Sequence, residues 1–371
     1  MRLLSFDREV AVTNKSDDQN PEFIEPSRGL SRRDAFGLAA KVGLGAAALA
    51  AGAKSGTALA ADAASSGLPK KNYKFFFICH VTLDQFFTPA IYGAQDACAA
   101  FGCSYQWTGS QKGVVSEMVS AMQTAIAQKA DGIAVCLVDP TAFDAATAAA
   151  TAAGIPVVAF NADVPQGSPN KRLSYIGQPL FQAGYNVALK WLKLVPKGGH
   201  VVLTIGVPGA LNTQPRLDGY IQAIKDAGNG VTYETLNAGV DPQTAISRIE
   251  AYHLSHPNVD GMFGTGGADT YACGFISNKY GLAKKGAIVA GFDLFPQTLG
   301  FIKSGDVTFT TDQQSYLQGF LPVQQLYLHK LSGGLVGPAN SDTSQAYVTK
   351  ENVDAYLGDT RFEGRTPNEP K

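Results

Sequence analysis

The sequence predicts an α/β protein of two similar, doubly wound parallel-sheet lobes. Three observations point there. From Lys74 onward, short apolar runs alternate with longer amphipathic or alanine-rich segments, the rhythm of a parallel sheet wrapped by helices. The runs fall into two successive sets of four. And the roughly 310 residues that follow an N-terminal export signal exceed one comfortable core and suit two lobes.

Taken in order, the first set of strands is expected at 75–81, 104–107, 132–138 and 156–160, and the second at 200–205, 231–236, 261–264 and 287–290. Helices are expected between and after them at 89–101, 114–129, 141–153, 180–195, 216–227, 242–253, 270–280, 296–304 and 316–330. Thr88-Pro89 and Asp139-Pro140 read as caps with a first-turn proline. Ala130-Asp131-Gly132, Ala153-Gly154-Ile155-Pro156 and Lys197-Gly198-Gly199 punctuate returns from helix to strand. Residues 61–72 read as a flexible leader and 358–371 as a polar tail.

The first 60 residues carry the export signal. Arg32-Arg33 precede a charge-free stretch of Ala, Gly, Leu and Val over 42–53, too short and glycine-rich to span a bilayer. Ala58 and Ala60 occupy the small-residue positions of a signal peptidase site, which places cleavage after Ala60. Ser31-Arg32-Arg33-Asp34-Ala35-Phe36 is similar to the twin-arginine signal, an address for proteins exported already folded, with Phe36 one position late. An ordinary secretory signal with two arginines is the alternative. No Cys stands at or next to the expected cleavage site, so no lipid anchor is expected there.

Charge and cysteine content narrow the function. With 30 Lys+Arg against 31 Asp+Glu the chain has no basic footprint, which argues against nucleic acid and anionic membrane as partners. The five cysteines, Cys79, Cys98, Cys103, Cys136 and Cys273, are odd in number and show neither Cys-x-x-Cys nor a Cys/His metal spacing, so neither a disulfide framework nor a metal is expected. His253 and His256, three apart at a helix end, read as a solvated terminus.

In open parallel sheets a ligand sits beyond the carboxyl ends of the strands. The segments following the expected strands are Thr82-Leu83-Asp84-Gln85-Phe86-Phe87, Trp107-Thr108-Gly109, Asp139-Pro140, Asn161-Ala162-Asp163, Pro208 to Arg216, Thr265 to Asp269, Phe292-Asp293 and Asp312-Gln313-Gln314. They are rich in carboxylates, carboxamides and aromatic rings. That mixture suits a neutral polyhydroxylated ligand, whose hydroxyls need donors and acceptors while its C–H faces stack on rings.

On Asp84-Gln85-Phe86-Phe87, Ala153-Gly154-Ile155-Pro156-Val157, Gly291-Phe292-Asp293 and Asp312-Gln313-Gln314-Ser315-Tyr316-Leu317-Gln318-Gly319, in that order and spacing, the chain resembles the periplasmic sugar-binding proteins of ABC importers. These are the ribose, galactose, inositol and autoinducer-2 group of type I periplasmic binding proteins, and the likeness covers 73–356. The resemblance implies lobes of 73–178 plus 313–337 and 179–312 plus 338–357, joined by a multi-strand hinge with crossings near Gln178, Thr311 and Pro338. It implies a sugar ring sandwiched by Phe86 and Phe87, with Asp84 as a polar contact. The family's carboxylate after the fourth strand falls on Asn161, leaving Asp163 as a substitute. Asn212, Gln214 and Arg216 are alternatives for the second lobe's arginine position. Asp269 lies in a glycine-rich loop that replaces a shorter one in the ribose type, and Asp293 and Gln313 match hydroxyl-binding positions. Trp107 and Tyr92 are candidate cleft-lining rings. A monomer is implied, with permease subunits and a chemoreceptor as partners and no cofactor.

The rival readings need motifs that the expected positions do not carry. A dinucleotide-binding oxidoreductase needs Gly-x-Gly-x-x-Gly after the first strand, where this chain has Thr82 to Phe87 without a glycine. A hydrolase would show a Gly-x-Ser-x-Gly elbow. A repressor of similar fold would carry a helix-turn-helix where the signal stands. Binding without turnover is therefore expected, and a receptor for an autoinducer-2-type signal is the alternative within the family.

Overall fold

The computed structural model describes residues 68–344, 347–358 and 361–363. The expected export signal (1–60), the leader up to residue 67 and most of the polar tail lie outside the described residues.

The first sheet is built from β1 (Lys74–Cys79), β2 (Ser104–Gly109), β3 (Gly132–Val135), β4 (Val157–Phe160), β5 (Tyr175–Gly177) and β11 (Ser341–Asp342). The second contains β6 (His200–Ile205), β7 (Thr232–Asn237), β8 (Gly261–Gly264), β9 (Ile288–Ala290), β10 (Phe309–Thr311) and β12 (Tyr347–Thr349). Their orders, β2-β1-β3-β4-β5-β11 and β7-β6-β8-β9-β10-β12, are the same topology twice. Strands pair in parallel throughout, except that β12 runs antiparallel to β10. Central strands are covered on both faces by helices, which is why β1, β3, β4 and β8 are almost entirely buried apolar runs. The edge strands β2 and β7 are partly exposed along their length and carry polar residues.

The helices are α1 (Thr88–Phe101), α2 (Val115–Ala127), α3 (Asp144–Ala152), α4 (Leu180–Trp191), α5 (Gln214–Ala227), α6 (Pro242–Ser255), α7 (Gly267–Tyr280), α8 (Pro296–Ser304) and α9 (Ser315–Leu331). Both lobes use one helix pair at very close approach, α1 with α9 and α4 with α5. A Cβ on Gly319 would stand 1.8 Å from the Ala90 carbonyl oxygen, and one on Gly219 would stand 2.3 Å from that of Phe181. Only glycine lets these backbones meet.

The structure departs from the sequence expectations where elements are short or ends are fixed by tertiary contacts. Strands β5, β10, β11 and β12 are two or three residues long and carry no periodicity to detect. β1 stops at Cys79 and β3 at Val135, so His80, Val81 and Cys136 to Val138 belong to the loops beyond the strand ends. Asp139 does not cap a helix at 141. Its Oδ1 accepts from the Thr141 and Ala142 N–H groups at 3.0 and 2.8 Å in a separate turn, and α3 starts at Asp144. Thr88 lies inside α1, whose cap position is Phe87.

The chain crosses between the sheets three times, at Gln178-Pro179, at Asp312 to Gln314, and between Asp342 and Tyr347. The crossing expected near Pro338 is therefore displaced. The 338–357 segment does not belong to one lobe, because β11 extends the first sheet beside β5 and only β12 joins the second. The leader is also tied down earlier than expected. The Tyr327 hydroxyl accepts from the Lys71 N–H at 2.8 Å and donates to the Pro69 carbonyl, which satisfies a fully buried phenol. Part of the tail packs as well: Arg361 pairs with Asp96 at 3.1 Å, and the Phe362 ring meets Tyr316 edge-on at 4.7 Å.

Candidate functional site

The shared topology places two reversals of strand order, β1/β3 and β6/β8, with their carboxyl ends toward one cleft. A cavity of about 330 Å³ occupies it, lined from the first lobe by Asp84, Phe86, Phe87 and Asn161 and from the second by Asn212, Arg216, Asp269 and Asp293, with Gln313 entering from a crossing. The volume lies at the small end of small-molecule sites.

Phe86 and Phe87 follow Asp84, whose Oδ1 accepts from the Phe86 N–H at 2.9 Å and caps a short turn over Gln85–Phe87. The two rings meet edge to face, centroids 4.8 Å apart. No sugar ring fits between them, so the expected sandwich is replaced by one wall. The cause is local: neighbouring residues in a tight turn cannot present parallel faces. Phe87 is 1% exposed and packs on His80, Trp107 and Phe160, whereas Phe86 is half-buried.

Asn161 follows β4, and Asp293 follows β9 after Gly291-Phe292. These two strands hold equivalent places in the sheets, and both residues adopt left-handed φ, 63° and 76°. Short polar side chains tolerate that region. The two are linked by a one-directional chain of amide hydrogen bonds. Asn161 Nδ2 donates to Gln318 Oε1 at 3.2 Å, Gln318 Nε2 donates to Gln313 Oε1 at 3.2 Å, and Gln313 Nε2 donates to Asp293 Oδ1 at 2.6 Å. Asn161 needs its NH₂ here, which accounts for an amide where the resemblance led one to expect a carboxylate. Gln318 is fully buried and also donates to Thr343 Oγ1 at 3.1 Å, joining the crossing at Gln313 to the one that follows Asp342.

Arg216, 2% exposed, donates to the Thr265 carbonyl and to Gln178 Oε1, both at 2.9 Å, and its guanidinium lies 4.0 Å over the Phe292 ring. Its Nε is buried without a hydrogen-bond partner. Burial lowers its pKa, and the Asp293 carboxylate opposes the shift. Burial likewise raises Asp293 against the pull of Arg216 and Gln313. Burial pushes Asp84 up to about 6, with the Phe86 N–H opposing and the Asp293 charge reinforcing the shift.

Other expected residues are committed elsewhere. Asp269 reaches the cavity wall, but its carboxylate caps α7, accepting from the Thr265 and Gly266 N–H groups at 2.8 and 2.9 Å and from Thr204 Oγ1 at 3.0 Å. Burial still raises it to about 6. Asp163 is outside the cavity lining because Arg172 holds it in a two-pronged ion pair, with Nη2 to Oδ2 at 2.6 Å. Gln214 closes its own loop, bonding the Gly209 N–H and Asp218 at 2.8 Å each. Trp107 lies behind the wall, stacked on Phe77 at 5.2 Å, and Tyr92 lies in α1 beneath Arg361. Of the three alternatives for the second lobe, Asn212 and Arg216 reach the cavity.

His80, Asp139 and Thr213 also line the cavity. His80 is the residue after the true end of β1, and the two-residue overrun of the expected strand concealed it. Its Nε2 meets Asn212 Nδ2 at 3.1 Å across the mouth of the cleft, and beside it the Leu211 N–H donates to the Val138 carbonyl at 2.9 Å. Behind it, ligand atoms of Cys79, His80 and Cys136 all lie within 4.8 Å of one another. No spacing along the chain could show this, because the cysteines stand at the ends of two neighbouring strands. Burial raises the Cys79 thiol, while Cys136 is drawn down to about 6 despite its burial by contacts with Cys79 and His80.

Two repeated parallel-sheet lobes with a polar and aromatic cleft between them define a binding protein rather than a single-lobe α/β protein, and the chain belongs to the periplasmic binding protein domain family, whose sequence profile matches residues 75–334. Its architecture is that of the type I members. Among its relatives, the xylose/arabinose-binding protein XylF of Sulfolobus acidocaldarius is 42% identical over 303 residues, 79% of this chain and 75% of that one. An ABC transporter solute-binding protein from Burkholderia graminis, solved with D-arabinose, is 28% identical with a TM-score of 0.70, covering 78% of this chain and 99% of its own. A carbohydrate transporter protein from Acidothermus cellulolyticus, solved with myo-inositol, is 27% identical with a TM-score of 0.68, covering 80% and 100%.

Proposed function

We propose that this chain captures a neutral sugar of pentose size in the cleft between its lobes and delivers it to the permease of an ABC importer. The observation that carries the reading is the cavity itself. One aromatic wall, Phe86 with Phe87, faces a set of hydroxyl partners of both signs: Asp84 and Asp293 accept, Arg216 donates, and Asn161 and Gln313 can do either. The xylose/arabinose-binding and D-arabinose-bound relatives support the choice of sugar. The chain's near-neutral charge and the small cavity are consistent with it.

Binding works by closure. Each lobe supplies part of the site, so a sugar binds the closed form more tightly and shifts the population toward it. The crossings at Gln178, at Asp312 to Gln314 and after Asp342 act as the hinge. Specificity follows from burial, because a cleft group left without its hydroxyl costs about 1–3 kcal/mol. No covalent step is involved, and the sugar leaves unchanged. The protein reaches the periplasm through the twin-arginine signal cleaved after Ala60, and works there as a monomer whose closed form the permease reads, with a chemoreceptor as a second reader.

A thermal-shift screen of pentoses, hexoses, polyols, amino acids and small anions tests this reading. Stabilisation by pentoses above the other classes is expected. Stabilisation by charged solutes alone would refute it.

A further inference from the structure

We propose that Cys79, His80 and Cys136 form a metal site for one thiophilic d¹⁰ cation, Cu⁺ or Zn²⁺, beneath the floor of the cleft. Register builds it. Ile78 pairs with Val135 across the parallel β1/β3 ladder, so Cys79 and Cys136, one step on, emerge side by side from the two strand ends. The Cys136 N–H still donates to the Ile78 carbonyl at 3.0 Å, which fixes its thiol beside the first strand. His80 completes the set, with all three ligand atoms within 4.8 Å of one another.

A second observation points to a ligand. His80 is 9% exposed, and its two nitrogens are unequal: Nε2 faces Asn212, while Nδ1 is buried with no hydrogen-bond partner. A buried imidazole nitrogen without a partner is costly. Coordination would satisfy it, and both cysteines are fully buried with their thiols in contact with each other. Thiolate and imidazole donors select Cu⁺ or Zn²⁺ over the hard cations, which favour oxygen. A modest contraction from 4.8 Å brings sulfur and nitrogen to the spacing set by bonds of about 2.3 and 2.0 Å to one ion.

The site would also act on the cleft. A metal on Nδ1 requires the proton on Nε2, which then donates to Asn212 through the amide oxygen, the amide having turned over. Metal binding thereby fixes the tautomer of a side chain that bridges the lobes at the mouth.

The test uses the full exported chain, purified reduced and without oxygen. Cu⁺ is titrated against a chromophoric chelator, and Zn²⁺ is titrated in a separate arm. One equivalent of either ion per chain is expected, and the arms identify which. Cys79→Ser and Cys136→Ser should each weaken binding at least about 100-fold, the upper end of what losing even an outer-shell partner costs. Cys103→Ser should leave binding unchanged, because Cys103 contacts Cys98 and lies outside the cluster. Should the buried cysteine variants fail to fold, His80→Gln serves instead, with at least tenfold weakening expected. Substoichiometric binding by the reduced chain, unchanged affinity in Cys136→Ser or His80→Gln, or a Cys79–Cys136 disulfide in the freshly exported protein would overturn the site. None of these outcomes depends on which sugar the cleft takes.

Discussion

Replacing Asp293 by Asn tests the cleft with little disturbance of the backbone. Asn has the same shape and tolerates the left-handed φ of 76° that Ala would strain against. The change turns one carboxylate oxygen into a donor. Gln313 Nε2, which now donates at 2.6 Å, meets a donor where the new NH₂ takes the place of Oδ1, and Arg216 loses the negative charge it now faces. A ligand hydroxyl bonded to this carboxylate loses a charge-assisted bond of about 1.5–3 kcal/mol. With partial recovery by the amide and the new donor–donor conflict, a loss of about 2–3 kcal/mol is expected, roughly 30- to 150-fold in affinity. Stability should move the other way, because burial penalises the native carboxylate and Asn removes that charge. Calorimetric titration with D-xylose and L-arabinose, beside thermal unfolding of the sugar-free protein, reads both. Affinity within threefold of the parent would refute the placement of Asp293 on the ligand.

Four further outcomes follow from the same structure. If Asp84 holds the sugar as a carboxylate, its pKa of about 6 means that affinity should fall about tenfold between pH 7.5 and 5; a flat profile would contradict that role. The sugar-free protein should show the opposite trend, because raised carboxyl pKa values at Asp84 and Asp269 contribute stability that is full below about 4 and is lost as pH rises through about 6. Its melting temperature should accordingly be higher at pH 5 than at pH 7.5. Phe86→Ala should weaken sugar binding by about 1–2 kcal/mol at near-parental stability, whereas Phe87→Ala should cost about 3–5 kcal/mol of folding stability because its ring lies in the core; equal effects on stability would contradict the division between them. Gly319→Ala should destabilise by about 3 kcal/mol in thermal unfolding, since its Cβ would strike the Ala90 carbonyl, while Gly300→Ala, with open space around it, should not.

The repeated α/β architecture was legible because central parallel strands are buried on both faces and read as unbroken apolar runs such as Phe75 to Cys79. What escaped was set by tertiary contact. The two- and three-residue strands β5, β11 and β12 exist only because a neighbouring strand end is available to pair. At the site, position after a strand identified Asp84, Phe86, Asn161, Arg216, Asp293 and Gln313 as cavity residues, since the fold brings all strand ends to one place. Position could not show that Arg172 would claim Asp163, that Gln214 would close its own loop, or that Asp269 would spend its carboxylate on α7. Partner choice also decides the meaning of Asn161, whose NH₂ is required by Gln318. His80 and its thiol neighbours stayed hidden because a strand ended two residues early and because register, not spacing, unites Cys79 with Cys136.

The function proposed for the protein is capture of a neutral pentose between its lobes without chemistry. Equilibrium titration of the purified chain with D-xylose and L-arabinose, followed by recovery and chromatography of the sugar, tests it most directly. Saturable binding of one pentose per chain and return of the sugar unaltered are expected. Absence of binding to every neutral sugar offered, or recovery of a converted product, would contradict it.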